Sequence, residues 1–246
     1  MVSLCSDFGE LAFLPADPYS ARITALFKTY GAEHDFALFW VQRVGGMPTA
    51  AISRVDGNMT LCAFANADFE ELSCFANAAG FESLTCSEEN MKKLGLEASK
   101  SSFTVKYNAG FQPKNGKISR DCDKRQIYDL LCECGFELGS YGAFLADVCA
   151  RLNKGTASMA AVEENGCVRA CAFALFEGEK SVLLGAVATS PNARGRGYAS
   201  EVVGTLAQEK SGKEVFLFCR NDGLSEFYAR IGFEIVGRWA ICERRM

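Results

Sequence analysis

Arg194, Gly195, Arg196 and Gly197 stand together in the stretch from Pro191 to Ala199, and their types and spacing suit the holding of an anion. Glycine lets the main chain approach a ligand closely. A helix beginning directly after such a loop has unpartnered first amides, and its positive end faces the same point. The flanking residues supply that arrangement. Ser181 to Thr189 is an apolar run of strand length, broken at Pro191, and from Tyr198 onward Ala199, Val202, Val203, Leu206 and Ala207 recur on one helical face. Strand, loop and helix start together form a cradle for the pyrophosphate of a nucleotide-bearing cofactor.

The elements that must position this stretch begin near the N-terminus. Asp17 and Pro18 read as N-cap and first helical residue of a helix whose apolar face is Tyr19, Ile23, Leu26, Phe27 and Tyr30, ending at Gly31. Strands at 36–44, 49–55 and 59–64, joined by turns at Gly45-Gly46 and Asp56-Gly57, make a meander. Helix 68–79, strand 81–86, helix 87–94 and strand 102–107 follow. Residues 108–123 are polar and turn-rich, with Gly110, Pro113, Asn115 and Gly116, and read as a linker.

Beyond the linker lie helices 124–134 and 141–153, strands 157–163, 167–176 and 181–189, the helix from Tyr198, strand 214–219, helix 224–231 and strand 233–241. The two halves share the order helix, three-strand antiparallel meander, helix, strand, helix, strand, which points to two copies of one α/β unit. The expected architecture is a mixed-sheet α/β (α+β) tandem, with residues 1–115 as the first unit and 116–246 as the second.

Composition narrows the function. With 49% hydrophobic residues and 19 phenylalanines there is material for a large core, yet no apolar run is long enough to span a bilayer. The N-terminus lacks the basic and apolar regions of a secretory signal, so a soluble, cytoplasmic protein without a membrane partner is expected. The net charge of −4, with both signs mixed and no basic run, argues against a nucleic-acid partner. Twelve cysteines invite a metal reading, but no C-x-x-C pair occurs and His34 is the one histidine. Cys122, Cys132 and Cys134 lack the spacing of a zinc site, so no metal is expected. Cys62, Cys74, Cys149, Cys171 and Cys219 sit singly in apolar segments and read as small buried hydrophobes of a reducing compartment. His34, between Glu33 and Asp35, reads as a solvated surface residue.

The second half resembles the GNAT superfamily of N-acetyltransferases over roughly residues 124–246. Arg194-Gly195-Arg196-Gly197-Tyr198-Ala199 fits the family's Q/R-x-x-G-x-G/A loop. Asn221, six intervening residues, Tyr228 and then Ile231-Gly232-Phe233 fit its late strand, helix and closing strand. The resemblance implies that the amides of residues 194–199 bind the pyrophosphate of acetyl-CoA. A bulge would splay the strand ending at Thr189, so that backbone groups near Val187 and Thr189 hold the pantetheine arm. The amide of Val187 would polarise the thioester carbonyl, Tyr228 would protonate the leaving thiolate, and Asn221 would bond the cofactor arm.

Each residue also has a plainer reading. Tyr228 lies on one apolar face with Leu224, Phe227 and Ile231. The side chains of Arg194 and Arg196 suit a solvated loop, Asn221 can open the next helix, and Gly232 can close it. The strand before the loop offers Ser181, Leu183 and Gly185 and no base; Glu163, Glu164 and Glu177 fall at turns, and no base is assigned.

In the first half the corresponding stretch is Ala65 to Leu72, with Asp68, Glu70 and Glu71 and no glycine loop, which would repel a pyrophosphate. Such a degenerate unit would cover the functional half, complete a sheet or wall the acceptor cleft. The expected activity is acetyl transfer from acetyl-CoA to a primary amine, small-molecule or peptide, in a ternary complex. A non-catalytic acyl-CoA sensor or scaffold, or an aminoacyl- or peptidyl-transferring tandem relative, is the alternative. The acceptor and the oligomeric state are not encoded in a readable way.

Overall fold

The first half folds as its punctuation dictates. In the computed structural model, which describes residues 1–112 and 118–244, helix α1 spans Pro18–Tyr30. The Asp17 carboxylate accepts from the Ser20 amide at 2.6 Å, Pro18 sits at the first position, and the Gly31 amide bonds back to the Phe27 carbonyl. The meander is β2 (Ala37–Val44), β3 (Met47–Val55) and β4 (Asn58–Ala63), followed by α2 (Phe69–Ala79), β5 (Ser83–Ser87), α3 (Glu88–Lys93) and β6 (Lys100–Tyr107). A short edge strand β1 (Val2–Leu4) and a 3-10 turn at Phe8–Leu11 carry no periodic signal and were not expected.

The second half comprises β7 (Ile118–Ser119), α4 (Lys124–Glu133), α5 (Tyr141–Asn153), β8 (Ser158–Glu164), β9 (Cys167–Glu177), β10 (Ser181–Thr189), α6 (Tyr198–Glu209), β11 (Glu214–Phe218), α7 (Ser225–Ala229) and β12 (Phe233–Glu243). Helix α7 is shorter than expected. Asp222–Leu224 forms a 3-10 turn, and the Ile231 and Gly232 amides bond three residues back. Pro113, Asn115, Gly116 and the expected 115/116 boundary lie outside the described residues.

The strands form one sheet in the order β1-β2-β3-β4-β5-β12-β6-β11-β10-β9-β8-β7. The order shows something that no local pattern carries: the halves exchange their last strands. β6, from the first half, pairs antiparallel with β11, while β12, from the end of the chain, lies between β5 and β6. Gly232 marks the point of entry into β12. A Cβ there would lie 2.2 Å from the Ala109 carbonyl oxygen, so a side chain is excluded by the backbone of the other half. Gly232 therefore does more than end a helix.

Helix α1 ties the halves from one side. Ala21, Ile23, Ala25 and Leu26 are 2% exposed or less, because the helix packs both on Phe39, Val41 and Cys62 of the first half and on Phe176, Leu183 and Phe216 of the second. Its buried residues run round most of the helix, with Lys28 left exposed, so α1 is a core helix. Each such aliphatic or aromatic side chain contributes about 1.5–3 kcal/mol on burial. The hydroxyls of Thr24 and Thr29 are satisfied by the carbonyls of Ser20 and Ala25 at 2.7 and 2.8 Å. α6 and α7 cover the opposite face of the second half, over Ala172, Val182, Leu184, Val215 and Leu217.

Candidate functional site

The site is built where β10 leaves its neighbours. Its parallel pairing with β11 runs from Ser181 to Leu184, opposite Glu214 to Leu217, and goes no further. On its other side Gly185 faces Phe173 and the next paired residue, Ala188, faces Cys171. Two residues therefore oppose one, a bulge that bends the strand. Ala186 takes the left-handed region at φ 48°, unusual for a residue with a side chain. Val187 thus stands on a stretch of strand open toward the gap between β10 and β11.

That gap is the mouth of a cleft of about 670 Å³. Val187 and Thr189 line it from β10, Arg194 and Ala199 from the loop and α6, Leu217 and Phe218 from β11, and Tyr228 from α7. The loop passes through a 3-10 turn, Pro191–Ala193, and Arg194 Nε donates to the Thr189 carbonyl at 3.3 Å. Gly197, at φ 82°, is the N-cap of α6 and supplies no side-chain bond to the first turn. A Cβ at Gly195 or Gly197 would meet nothing within 4 Å, so glycine serves the backbone conformation there rather than relieving a clash. The result is a helix start whose first amides have no side-chain cap, beside a cleft large enough for an extended ligand.

The side chains of Arg196 and Tyr198 are directed to Glu164 at the end of β8, at 3.1 and 3.3 Å. What these two residues have to offer a ligand at this point is main chain. Tyr228 is 5% exposed, its ring against Phe227 and Phe233. Burial, with the Cys219 thiol adding to it, lifts its phenol well above the ordinary value of 10.0, so it is a protonated donor at neutral pH. Asn221 is exposed on the turn between β11 and α7, with its carbonyl accepting from the Leu224 amide.

Several lining residues were not singled out from sequence. The loop between α4 and α5 spans the gap: Cys134 Sγ donates to the Thr189 carbonyl at 3.4 Å, while Arg220 donates to the carbonyls of Cys134 and Gly135 at 3.1 and 3.4 Å. One short loop is thereby bonded to the ends of both splayed strands. Glu137 on this loop and Lys100 at the start of β6 complete the charged lining. Lys100 comes from the first half, and only the strand exchange brings it here. The three carboxylates weighed as bases are engaged elsewhere: Glu163 with Cys122, Glu164 with Arg196 and Tyr198, and Glu177 with Ser158 and Lys210.

The first half has the matching gap, reduced to a pocket of about 220 Å³ lined by Cys62, Ala63, Ser87 and Asn90. β4 pairs with β5 only through Thr60, and beyond this the Asn90 side-chain amide donates to the Ala63 carbonyl at 3.3 Å. The start of α2 is capped by Asp68, which accepts from the Glu71 amide at 2.9 Å. Of the cysteines read as buried, Cys62, Cys171 and Cys219 are buried, Cys149 is half-buried and Cys74 is exposed. Among the described residues no group of three or more His, Cys, Asp or Glu is placed to hold a metal ion, and no helix is long and apolar enough to cross a membrane.

Residues 155–235 match the family model described as the acetyltransferase (GNAT) domain. No curated protein matches the sequence. Among solved structures, a tandem GNAT protein from the clavulanic acid biosynthesis pathway aligns over 98% of this chain and 97% of its own, with TM-score 0.60 and 11% identity. A GNAT-family acetyltransferase from Colwellia psychrerythraea aligns over the whole of both chains, with TM-score 0.57 and 11% identity. A GCN5-related N-acetyltransferase from Sphaerobacter thermophilus aligns over 98% of this chain and 94% of its own, with TM-score 0.55 and 14% identity. The fold is thus the mixed α/β fold of tandem GNAT proteins.

Proposed function

We propose that the protein transfers an acetyl group from acetyl-CoA to a primary amine by direct attack in a ternary complex. The observation that carries this is the opening of β10 at Gly185–Thr189 immediately before the uncapped start of α6. The residues present fit the co-substrate. The amides of residues 194–199 can take a pyrophosphate, and the open edge of β10 at Val187 and Thr189 can bond an extended pantetheine arm. Acetyl-CoA supplies the activated acyl carbon.

The chain's part is electrostatic and positional. The Val187 amide is the donor for the thioester oxygen as negative charge grows on it, and a donor of this kind accounts for about 10²–10³ in rate. The amine nitrogen bonds to the acyl carbon, the carbon–sulfur bond breaks, and the sulfur leaves with the electron pair. Tyr228 delivers a proton to that sulfur. Glu137, the carboxylate in the cleft lining, can receive the proton released by the amine. Asn221 would bond the cofactor arm only if its exposed turn closes over the bound molecule.

Thermal denaturation with acetyl-CoA and with CoA, followed by thiol release on a panel of amines, tests the reading. A stabilising shift with acetyl-CoA and amine-dependent thiol release are expected. Binding without turnover on any amine would favour a sensor.

A further inference from the structure

The cleft carries charge that catalysis by Val187 and Tyr228 does not use. Lys100 and Arg220 line it beside Phe218. Among the described residues neither cation is in an ion pair. Lys100 Nζ stands 5.8 Å from the centre of the Trp239 ring, and Arg220 donates to the two loop carbonyls. A guanidinium has five N–H donors, so Arg220 retains donors for a further acceptor. Glu137, on the loop that Arg220 holds, is likewise in no ion pair among the described residues. Arg194, the other charged lining residue, is bonded to the Thr189 carbonyl, which also accepts from Cys134 on that loop.

Lys100 and Arg220 together with Glu137, none of them in an ion pair among the described residues, give the cleft lining a dipolar character. We infer that the acceptor is a small primary amine that also bears an anionic group, a carboxylate or a phosphate. Lys100 and Arg220 hold the anion, and Glu137 draws the ammonium end. The inference rests on the acetyl-transfer reading above.

The discrimination follows from charge. A diamine would bring its second ammonium against Lys100 and Arg220, which is the repulsive element that specificity needs. An uncharged amine forgoes the attraction on that side. All three groups are exposed, so solvent screens them and each contact supplies on the order of 1 kcal/mol. Together they correspond to a preference of roughly tenfold or more. The strand exchange gives this a structural meaning. The first half places Lys100 of β6 in the lining of the second half's cleft.

The test uses the full-length protein loaded with CoA, so that acceptor binding is read without turnover. β-Alanine and phosphoethanolamine represent the two anions; propylamine and 1,3-diaminopropane are the controls. Calorimetric titration is expected to show one or both anionic amines binding at least tenfold more tightly than propylamine, with the diamine weakest. The β-alanine and phosphoethanolamine arms decide between carboxylate and phosphate. In K100A the ratio of anionic to uncharged affinity falls toward 1, and in K100E the diamine overtakes the anionic amines; a lysine with a merely structural role would not move these ratios.

Equal binding of all four amines, tighter binding of the diamine, or ratios untouched by K100E overturns the inference. Should CoA bind and neutral amines be acetylated in those cases, the acetyl-transfer reading stands without it. A protein that does not bind CoA at all overturns both.

Discussion

The Asn90 side-chain amide donates to the Ala63 carbonyl at 3.3 Å, and this bond bridges in the first half a gap of about 220 Å³ where the cleft beside Val187 in the second has about 670 Å³. The two halves also treat their helix starts oppositely. Asp68 caps α2 with its carboxylate, with Glu70 and Glu71 in the first turn, whereas Gly197 leaves α6 without a side-chain cap. Calorimetry is therefore expected to find one CoA site per chain. Asn90→Ala should leave that number at one, since the carboxylates at α2 still repel a phosphate. It should lower stability by about 0.5–1.5 kcal/mol, the net contribution of one hydrogen bond. A second CoA bound by either protein would contradict this account.

Gly197 has open space around its would-be Cβ but a φ of 82°. A substitution there is thus penalised by backbone conformation, and by the displacement of the helix start that relieving it would cause, not by a clash. Gly197→Val is expected to weaken CoA binding at least tenfold. It should also lower stability by more than about 1 kcal/mol, the scale for a side chain forced to positive φ. Affinity equal to that of the parent in a titration would show that the amides at α6 do not face the pyrophosphate.

Much of this arrangement was legible in the sequence because it is local. Asp17-Pro18, Gly31 and Asp56-Gly57 punctuate the first helix and meander where they are found, and the loop 194–199 leads into α6 as its glycines and apolar period require. The bulge of β10 came from family resemblance, and the register shift at Gly185–Ala188 bears it out. The exchange of β6 and β12 left no trace, because pairing partners distant in the chain are not written into either strand's alternation. Lys100 was accordingly invisible as a cleft residue, and so was Arg220, whose role depends on a loop some eighty residues away. The shared core around α1 was hidden for the same reason: Phe39 and Phe216 each look like ordinary interior residues of their own half.

Tyr228 combines a buried ring with a cleft position, so removing its hydroxyl separates chemistry from packing. Tyr228→Phe should keep the contacts with Phe227 and Phe233 and leave CoA affinity within about twofold. Turnover should fall by about 10²-fold or more, the low end of general-acid effects. Because burial raises the phenol above 10.0, the parent's rate should show no loss from this group as the pH climbs from 7 to that ordinary value. Unchanged turnover in the phenylalanine variant would return Tyr228 to the core.

Cys171 lies directly behind the bulge, its thiol donating to the Ala186 carbonyl at 3.6 Å, and burial pushes it from 9.0 up to about 12. A thiol whose folded value is raised binds its proton more tightly in the native state. Its contribution is complete below pH 9 and is lost as the pH rises from there toward 12. One unit above 9 the loss is about 1.4 kcal/mol. Denaturant unfolding at pH 8 and pH 10 should show a drop at least this large in the parent, since Cys5, Cys122 and Cys219 are lifted to about 11. The drop should be smaller by about that amount in Cys171→Ala. An identical drop in both proteins would mean that Cys171 does not sense alkali.

The exchanged strands make the halves one folding unit in spite of their shared order of elements. Residues 118–246 alone would lack β6 between β11 and β12, and would expose Phe176, Leu183 and Phe216 where α1 now covers them. Residues 1–112 would lack β12 between β5 and β6, leaving two unpaired strand edges of the kind that drive association. Expressed singly, each half is expected to aggregate or to show no cooperative thermal transition. Co-expressed, they should assemble one to one, with a single transition and CoA binding restored. A soluble 118–246 fragment that melts cooperatively and binds CoA by itself would show that β11 can close on β12 directly, and the exchange would then be dispensable to the site.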